Sequence, residues 1–243
     1  MTSLVKAAGS ARPTRPRELT EIAQKAVVSR MNEAAVIHII DDDESMRAAL
    51  DGLLRSVGLA PAAHASASEF LAANRPDVPG CLVLDVRMPG ISGLEFQEKL
   101  SGLGIRLPVI LMTGHGDIPM SVRGMKAGAV DFLTKPFRDQ DMLDAVTTAI
   151  RRDRARRDAE AAIIGLRKKF TTLSSREREV MHLVTAGNIN KQVASDLGVS
   201  EITVKLHRGA AMRKMGARTL ADLVRMAEAL QVDNGNHDPR LSF

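Results

Sequence analysis

The chain has 243 residues, 44% apolar and only 2% aromatic with no Trp or Tyr, which allows one large or two small domains with aliphatic cores and leaves base stacking little to work with. A single cysteine, Cys81, excludes an internal disulfide, and with no apolar run of about 18 residues and no secretory leader, no membrane span is expected and the chain is read as cytoplasmic. Charge divides along the chain: residues 1–35 hold 6 basic and 3 acidic groups (+3), residues 36–150 hold 10 and 15 (−5), and residues 151–243 hold 18 and 11 (+7), so an acidic module precedes a basic one suited to a polyanion.

Residues 1–34 form a basic extension whose A-R-P-T-R-P-R stretch should not fold alone. Thr20 to Met31 can make a short helix. Val36 to Ile40 is the first strand. Ser45 to Val57 has helical spacing, with Met46, Leu50, Leu53 and Leu54 on one side. A short second strand is read at Ala62 to Ala65 and a helix at Ser68 to Asn74. Cys81 to Leu84 is the third strand, with Cys81 a buried bystander. A turn at Pro89 to Gly93 opens a helix at Leu94 to Leu100. Val109 to Met112 is the fourth strand. A loop through His115 leads to a helix from Ile118 to Ala127. Val130 to Leu133 is the fifth strand and Arg138 to Ile150 the fifth helix. Short apolar strands separated by helix-length intervals predict an α/β, doubly wound, five-stranded parallel sheet over residues 35–150.

Arg151 to Lys169 is densely basic and reads as a continued helix or a linker. From residue 171 to 233 the pattern is all helix. Ser174 or Ser175 caps a helix ending near Ala186-Gly187. A short helix from Asn190 to Leu197, a turn at Gly198-Val199-Ser200, and a longer helix from Glu201 to Met215 make a helix-turn-helix pattern. Thr219 caps a last helix, Leu220 to Leu230, and residues 234–243 read as a tail.

Ligands sit beyond the carboxyl ends of strands in such sheets. That rule gathers Asp41, Asp42, Asp85, Thr113 and Lys135 at one rim. Three carboxylates favour a hard divalent cation such as Mg²⁺ or Mn²⁺. The cation relieves their repulsion, and the site can receive a phosphoryl group on one carboxylate. Asp85 stands alone at the end of the middle strand and is the candidate acceptor. The plainer alternative is that these aspartates only cap turns, and it is the preferred reading for Asp43. His38 reads as a core or strand-surface histidine.

The ordered motifs V-I-H-I-I-D-D-D-E, L-D-V-R-M-P-G-I-S-G-L-E, T-G-H-G-D-I-P-M, G-A-V-D-F-L-T-K-P-F and L-S-S-R-E-R-E-V resemble those of FixJ-type response regulators. These join a two-component receiver to a LuxR/NarL-type helix-turn-helix domain. The resemblance covers about residues 35–231. It implies Asp41 and Asp42 as the acid pair, Asp85 as phosphoacceptor, and the Arg87 carbonyl as a further Mg²⁺ ligand. It also implies Thr113 as the switch hydroxyl, Lys135 as the phosphate-binding lysine before a cis proline, and Phe132 as the aromatic switch. Arg123, Gly124 and Thr134 depart from the family pattern near its dimer face.

In the second module the resemblance puts Lys205, Leu206 and Gly209 at DNA-contact positions, with Arg208 beside them. Leu206 either touches a thymine methyl or belongs to the core. Lys191, Arg213 and Lys214 are phosphate candidates or solvated charges. The expected function is a phosphorylation-controlled transcriptional regulator, an activator by family habit. It would be served by a sensor histidine kinase, double-stranded promoter DNA, RNA polymerase and homodimer formation. It would not be a free-standing enzyme. The rival readings are a Mg²⁺-dependent phosphoryl enzyme, for which no substrate-binding domain is seen, and a constitutive DNA binder with a non-switching receiver.

Overall fold

The computed structural model describes residues 35–114 and 118–234. The basic extension, the Thr20 to Met31 helix, His115 and the residues beyond 234 lie outside them. The chain divides into two compact units, with the break between Arg154 and Ala155. Among the described residues no helix is long and apolar enough to cross a membrane.

The first unit alternates strand and helix: β1 (Val36–Ile40), α1 (Glu44–Ser56), β2 (Ala60–His64), α2 (Ala67–Ala72), β3 (Gly80–Asp85), α3 (Gly93–Leu100), β4 (Val109–Thr113), α4 (Ile118–Lys126) and β5 (Asp131–Thr134), followed by α5 (Asp139–Thr171). All pairings are parallel, in the order β2-β1-β3-β4-β5. All six residues of β3 and all five of β4 are buried, as central strands covered on both faces must be.

One face of the sheet packs Ile37, Ile39, Val83, Ile110 and Met112 against Leu50 and Leu54 of α1 and Met142, Val146 and Ile150 of α5. The other packs Ile40, Leu82, Leu84 and Leu111 against Phe70, Leu94 and Phe96. Each fully buried side chain of this size contributes about 1.5–3 kcal/mol. β2 begins two residues earlier than the apolar pattern suggests. Its A-P-A-A-H sequence has little apolar contrast, and Pro61 is tolerated because β2 is an edge strand.

The fifth helix does not end at Ile150. It continues to Thr171 and carries the chain from the first unit into the second. The run R-R-D-R-A-R-R-D-A-E-A-A contains good helix formers and no breaker, and a lone Gly165 costs only about 1 kcal/mol relative to Ala.

The second unit holds α6 (Ser175–Thr185), α7 (Asn190–Leu197), α8 (Glu201–Met215) and α9 (Leu220–Asn234). Ser174 and Glu177 close a reciprocal capping box on α6. Gly198 ends α7 in the left-handed conformation, and the Ser200 hydroxyl caps α8. Val180, Met181, Val184, Val193, Val204, Ala211, Met215, Leu223 and Leu230 make the core. α9 runs four residues past Leu230, since Q-V-D-N contains nothing that stops a helix.

Candidate functional site

Because all five strands are parallel, their carboxyl ends share one edge. Asp41 and Asp42 follow β1, Asp85 ends β3, Thr113 ends β4, and Lys135 follows β5. Strand order reverses between β1 and β3, which opens a crevice there. Asp43 turns the chain out of it: its carboxylate accepts from the amides of Ser45 and Met46 and caps α1. Asp85 is seated closely, since a Cβ on Gly93 would come within 2.2 Å of its carbonyl oxygen.

The carboxylates of Asp41, Asp42 and Asp85 each place an oxygen within 4.8 Å of the others. The Lys135 ammonium lies 2.6 Å from Asp41 Oδ2 and 2.8 Å from Asp85 Oδ1. The remaining oxygens are also held: Asp43 N–H donates to Asp41 Oδ1 at 2.9 Å, and Arg87 N–H donates to Asp85 Oδ2 at 2.9 Å. Asp41, Asp85 and Thr113 are buried, whereas Asp42 is exposed. The Thr113 carbonyl accepts from Lys135 N–H at 2.7 Å, and the Lys135–Pro136 bond is cis.

Burial pushes the Asp85 carboxyl above its ordinary value, and Lys135 pulls it back without cancelling the rise, to which Asp41 adds. Burial works against the Lys135 ammonium, but the Asp41 and Asp85 carboxylates outweigh it and hold its proton above the usual range. Hard oxygen donors, an exposed carboxylate and a single half-buried lysine suit a divalent metal ion, whose charge would balance the cluster. A shallow cleft of about 640 Å³ beside the cluster is lined by Asp42, Arg87, Met88, Met120 and Arg123 and gives access from solvent.

Phe132 is half-buried and packs with the Leu94 and Leu111 cluster. Gly124 leaves it room: a Cβ there would lie 2.5 Å from Leu111 Cδ1, 3.3 Å from Leu94 Cδ2 and 3.6 Å from Phe132 Cδ2. Arg123 makes a two-pronged pair with Glu98, at 3.0 and 3.1 Å. Sequence reasoning did not foresee that pair, because its partner lies 25 residues away. His38 is a core residue, with its Nδ1 3.2 Å from His64 Nε2. Cys81 is fully buried, and burial raises its thiol well above the usual range.

In the second unit, Val204, Ala211 and Met215 turn α8 inward. Lys205 and Arg213 are exposed, as is Lys191 on α7. Leu206 is 68% exposed, which removes the core reading. Ile202, missed in the sequence, is 71% exposed. Arg208 Nη1 donates to Asn190 Oδ1 at 3.2 Å, tying α8 to α7. A Cβ on Gly209 would meet nothing closer than Arg213 Nη1 at 3.5 Å, so packing does not demand glycine there. Lys214 donates to Glu177 Oε2 at 2.6 Å and to the Thr172 carbonyl at 3.2 Å.

Residues 37–147 match the response regulator receiver domain, and residues 171–227 match the bacterial regulatory proteins of the luxR family. Nodulation protein W of Bradyrhizobium diazoefficiens is 57% identical over 203 residues, 84% of this chain and 89% of that protein. Transcriptional regulatory protein FixJ of Azorhizobium caulinodans is 47% identical over 197 residues, 81% of this chain and 93% of that protein. The solved structure of the response regulator StyR superposes with a TM-score of 0.70 at 45% identity, covering 80% of this chain and 98% of that one. A rim of clustered carboxylates and a basic helix-turn-helix thus occur together in a chain that belongs to the FixJ-like response regulators, which join a phosphorylation-controlled receiver domain to a LuxR-family DNA-binding domain.

Proposed function

We propose that Asp85 accepts a phosphoryl group from a sensor histidine kinase, and that this governs binding of a homodimer to two half-sites of promoter DNA. The observation that carries the reading is the single Lys135 ammonium shared between Asp41 and Asp85, with Asp42 beside them. An Asp85 oxygen attacks phosphorus, the P–N bond to the kinase histidine breaks as the P–O bond forms, and the imidazole leaves with a proton. Mg²⁺, held by Asp41, Asp42, Asp85 and the Arg87 carbonyl, would neutralise charge on the phosphoryl oxygens when bound. Lys135 turns from the carboxylates to one phosphoryl oxygen, and the Thr113 hydroxyl takes another. Phe132, half-buried beside Gly124, shifts its packing and so carries the change to the α4 face, where Val122 and Met125 are exposed. The receiver catalyses its own phosphorylation and hydrolysis and is not a metabolic enzyme.

On the DNA side, Lys205, Leu206, Arg208 and Gly209 face the groove, while Lys191 and Arg213 meet phosphates. Lys214 reaches DNA only by leaving Glu177. We assign residues 35–150 to the receiver, 151–170 to a helical linker and 171–233 to the DNA-binding domain. Residues 1–34 and 234–243 flank them. The output we assign is activation through contact with RNA polymerase; the relatives' names support transcriptional regulation.

The test is incubation with Mg²⁺ and acetyl phosphate, followed by intact mass, oligomeric state and DNA affinity, with Asp85→Asn in parallel. One added phosphoryl group, a dimer and tighter DNA binding, all lost in Asp85→Asn, is the expected result. DNA binding that ignores phosphorylation would leave a constitutive DNA-binding protein instead.

A further inference from the structure

Two branched apolar side chains of the second unit stand in water without an internal reason. Ile202 is 71% exposed and Leu206 68% exposed. Four residues apart, they lie one above the other on a single face of α8. The helix is already anchored through Val204, Ala211 and Met215 on its inward side, and neither exposed residue joins that cluster. A single exposed aliphatic is ordinary. A stacked pair on the first two turns, next to exposed Lys205 and in line with Arg213, suits a partner that is apolar in small patches and anionic around them.

The major groove of duplex DNA has that chemistry. The 5-methyl group of thymine projects from the base edge, and phosphates flank it. In a helix-turn-helix the first turns of the second helix meet base edges. Positions four residues apart are about 6 Å apart along a helix, roughly two base-pair steps of about 3.4 Å each. We propose that Ile202 is a further base-reading residue, which together with Leu206 packs against the 5-methyl groups of two thymines in each half-site. This rests on the DNA-binding reading of α8 and adds to it a chemical identity at two positions. Removing one methyl from such a contact weakens binding about fourfold, the effect of re-exposing a single methylene-sized group.

The experiment uses the full chain, phosphorylated with acetyl phosphate and Mg²⁺. A duplex is selected from a randomised pool, and its thymines are then replaced by deoxyuridine one position at a time. Deoxyuridine is expected to weaken binding about fourfold at two positions per half-site. Ile202→Ala should erase the penalty at one position and Leu206→Ala at the other. Both variants should keep the wild-type Tm, since both side chains are already exposed. A bound duplex that tolerates deoxyuridine everywhere overturns the proposal. So does an Ile202→Ala variant that keeps every wild-type penalty. A pool that yields no bound duplex would instead overturn the DNA-binding reading, and this proposal with it.

Discussion

Asp153 and Gly80 lie 73 residues apart and are joined by one hydrogen bond: the Gly80 amide donates to Asp153 Oδ2 at 3.1 Å. Asp153 is fully buried in α5, and Gly80 opens β3. Gly80 is also pressed against β1, where a Cβ would come within 2.2 Å of the Val36 carbonyl oxygen. Asp153→Ala leaves a buried amide without its acceptor and should cost about 1–3 kcal/mol. Asp153→Asn keeps an acceptor and should cost less. Urea midpoints of the two variants decide it, and equal losses would argue against the bond.

The acidic rim should respond to Mg²⁺. Ion binding to the folded state stabilises it by about 2.7 kcal/mol at a hundredfold excess over Kd. The rise in Tm should reverse with EDTA and shrink in Asp42→Asn. In Lys135→Met, Asp41 and Asp85 lose their shared cation, so the same Mg²⁺ should raise Tm by more than in the wild type. A smaller rise would mean that the lysine does not offset that charge.

Acid should act through the paired histidines. Burial, with Coulombic effects of His64 and Arg75 behind it, lowers His38 to about 4, against about 6.5 in an unfolded chain. Above about 6.5 neither state binds the proton, and the full stability is present. As pH falls from about 6.5 toward 4 the unfolded chain takes it up and the folded one does not, so stability drops by up to about 3 kcal/mol. His38→Phe should flatten the urea-midpoint profile across that window, and an unchanged slope would sink the assignment.

Gly124→Ala adds a methyl 2.5 Å from Leu111 Cδ1. Overpacking costs about 1–3 kcal/mol, while alanine in a helix regains about 1 kcal/mol. The net expectation is a loss of about 1 kcal/mol, read by denaturation. The proton shifts of the Phe132 ring should move with it.

Lys214 and Lys191 should separate cleanly in salt titrations. Lys191→Ala should reduce the slope of log K against log salt by about 0.9, the share of one phosphate contact. Lys214→Ala should leave that slope alone and lower Tm, because its ammonium is held by Glu177 and the Thr172 carbonyl. A slope change in both would show that Lys214 exchanges partners on DNA.

The strands were legible because buried parallel strands are written as local apolar runs, and the rim followed because strand ends are local too. β2 blurred because A-P-A-A-H carries little contrast. What could not be read depends on which distant elements meet. Asp153 looks like part of a solvated basic run, and only the fold shows it at the foot of β3. His38 and His64 meet through the β1–β2 register, which pairs Ile40 with His64. Arg123 and Glu98 meet only when α3 and α4 lie side by side. Ile202 carries no local mark of exposure; its place follows only once Val204 fixes the phase of α8.

Three consecutive aspartates do three different things. Asp41 is buried beneath Lys135, Asp42 is turned to solvent, and Asp43 holds the first turn of α1. Identical letters thus carry positional meaning. Deleting any one of them would leave a run that still spells a pair of aspartates, yet the helix cap would fall into the place of a rim carboxylate. Spelling alone would pass such a variant as intact; the geometry marks it as broken.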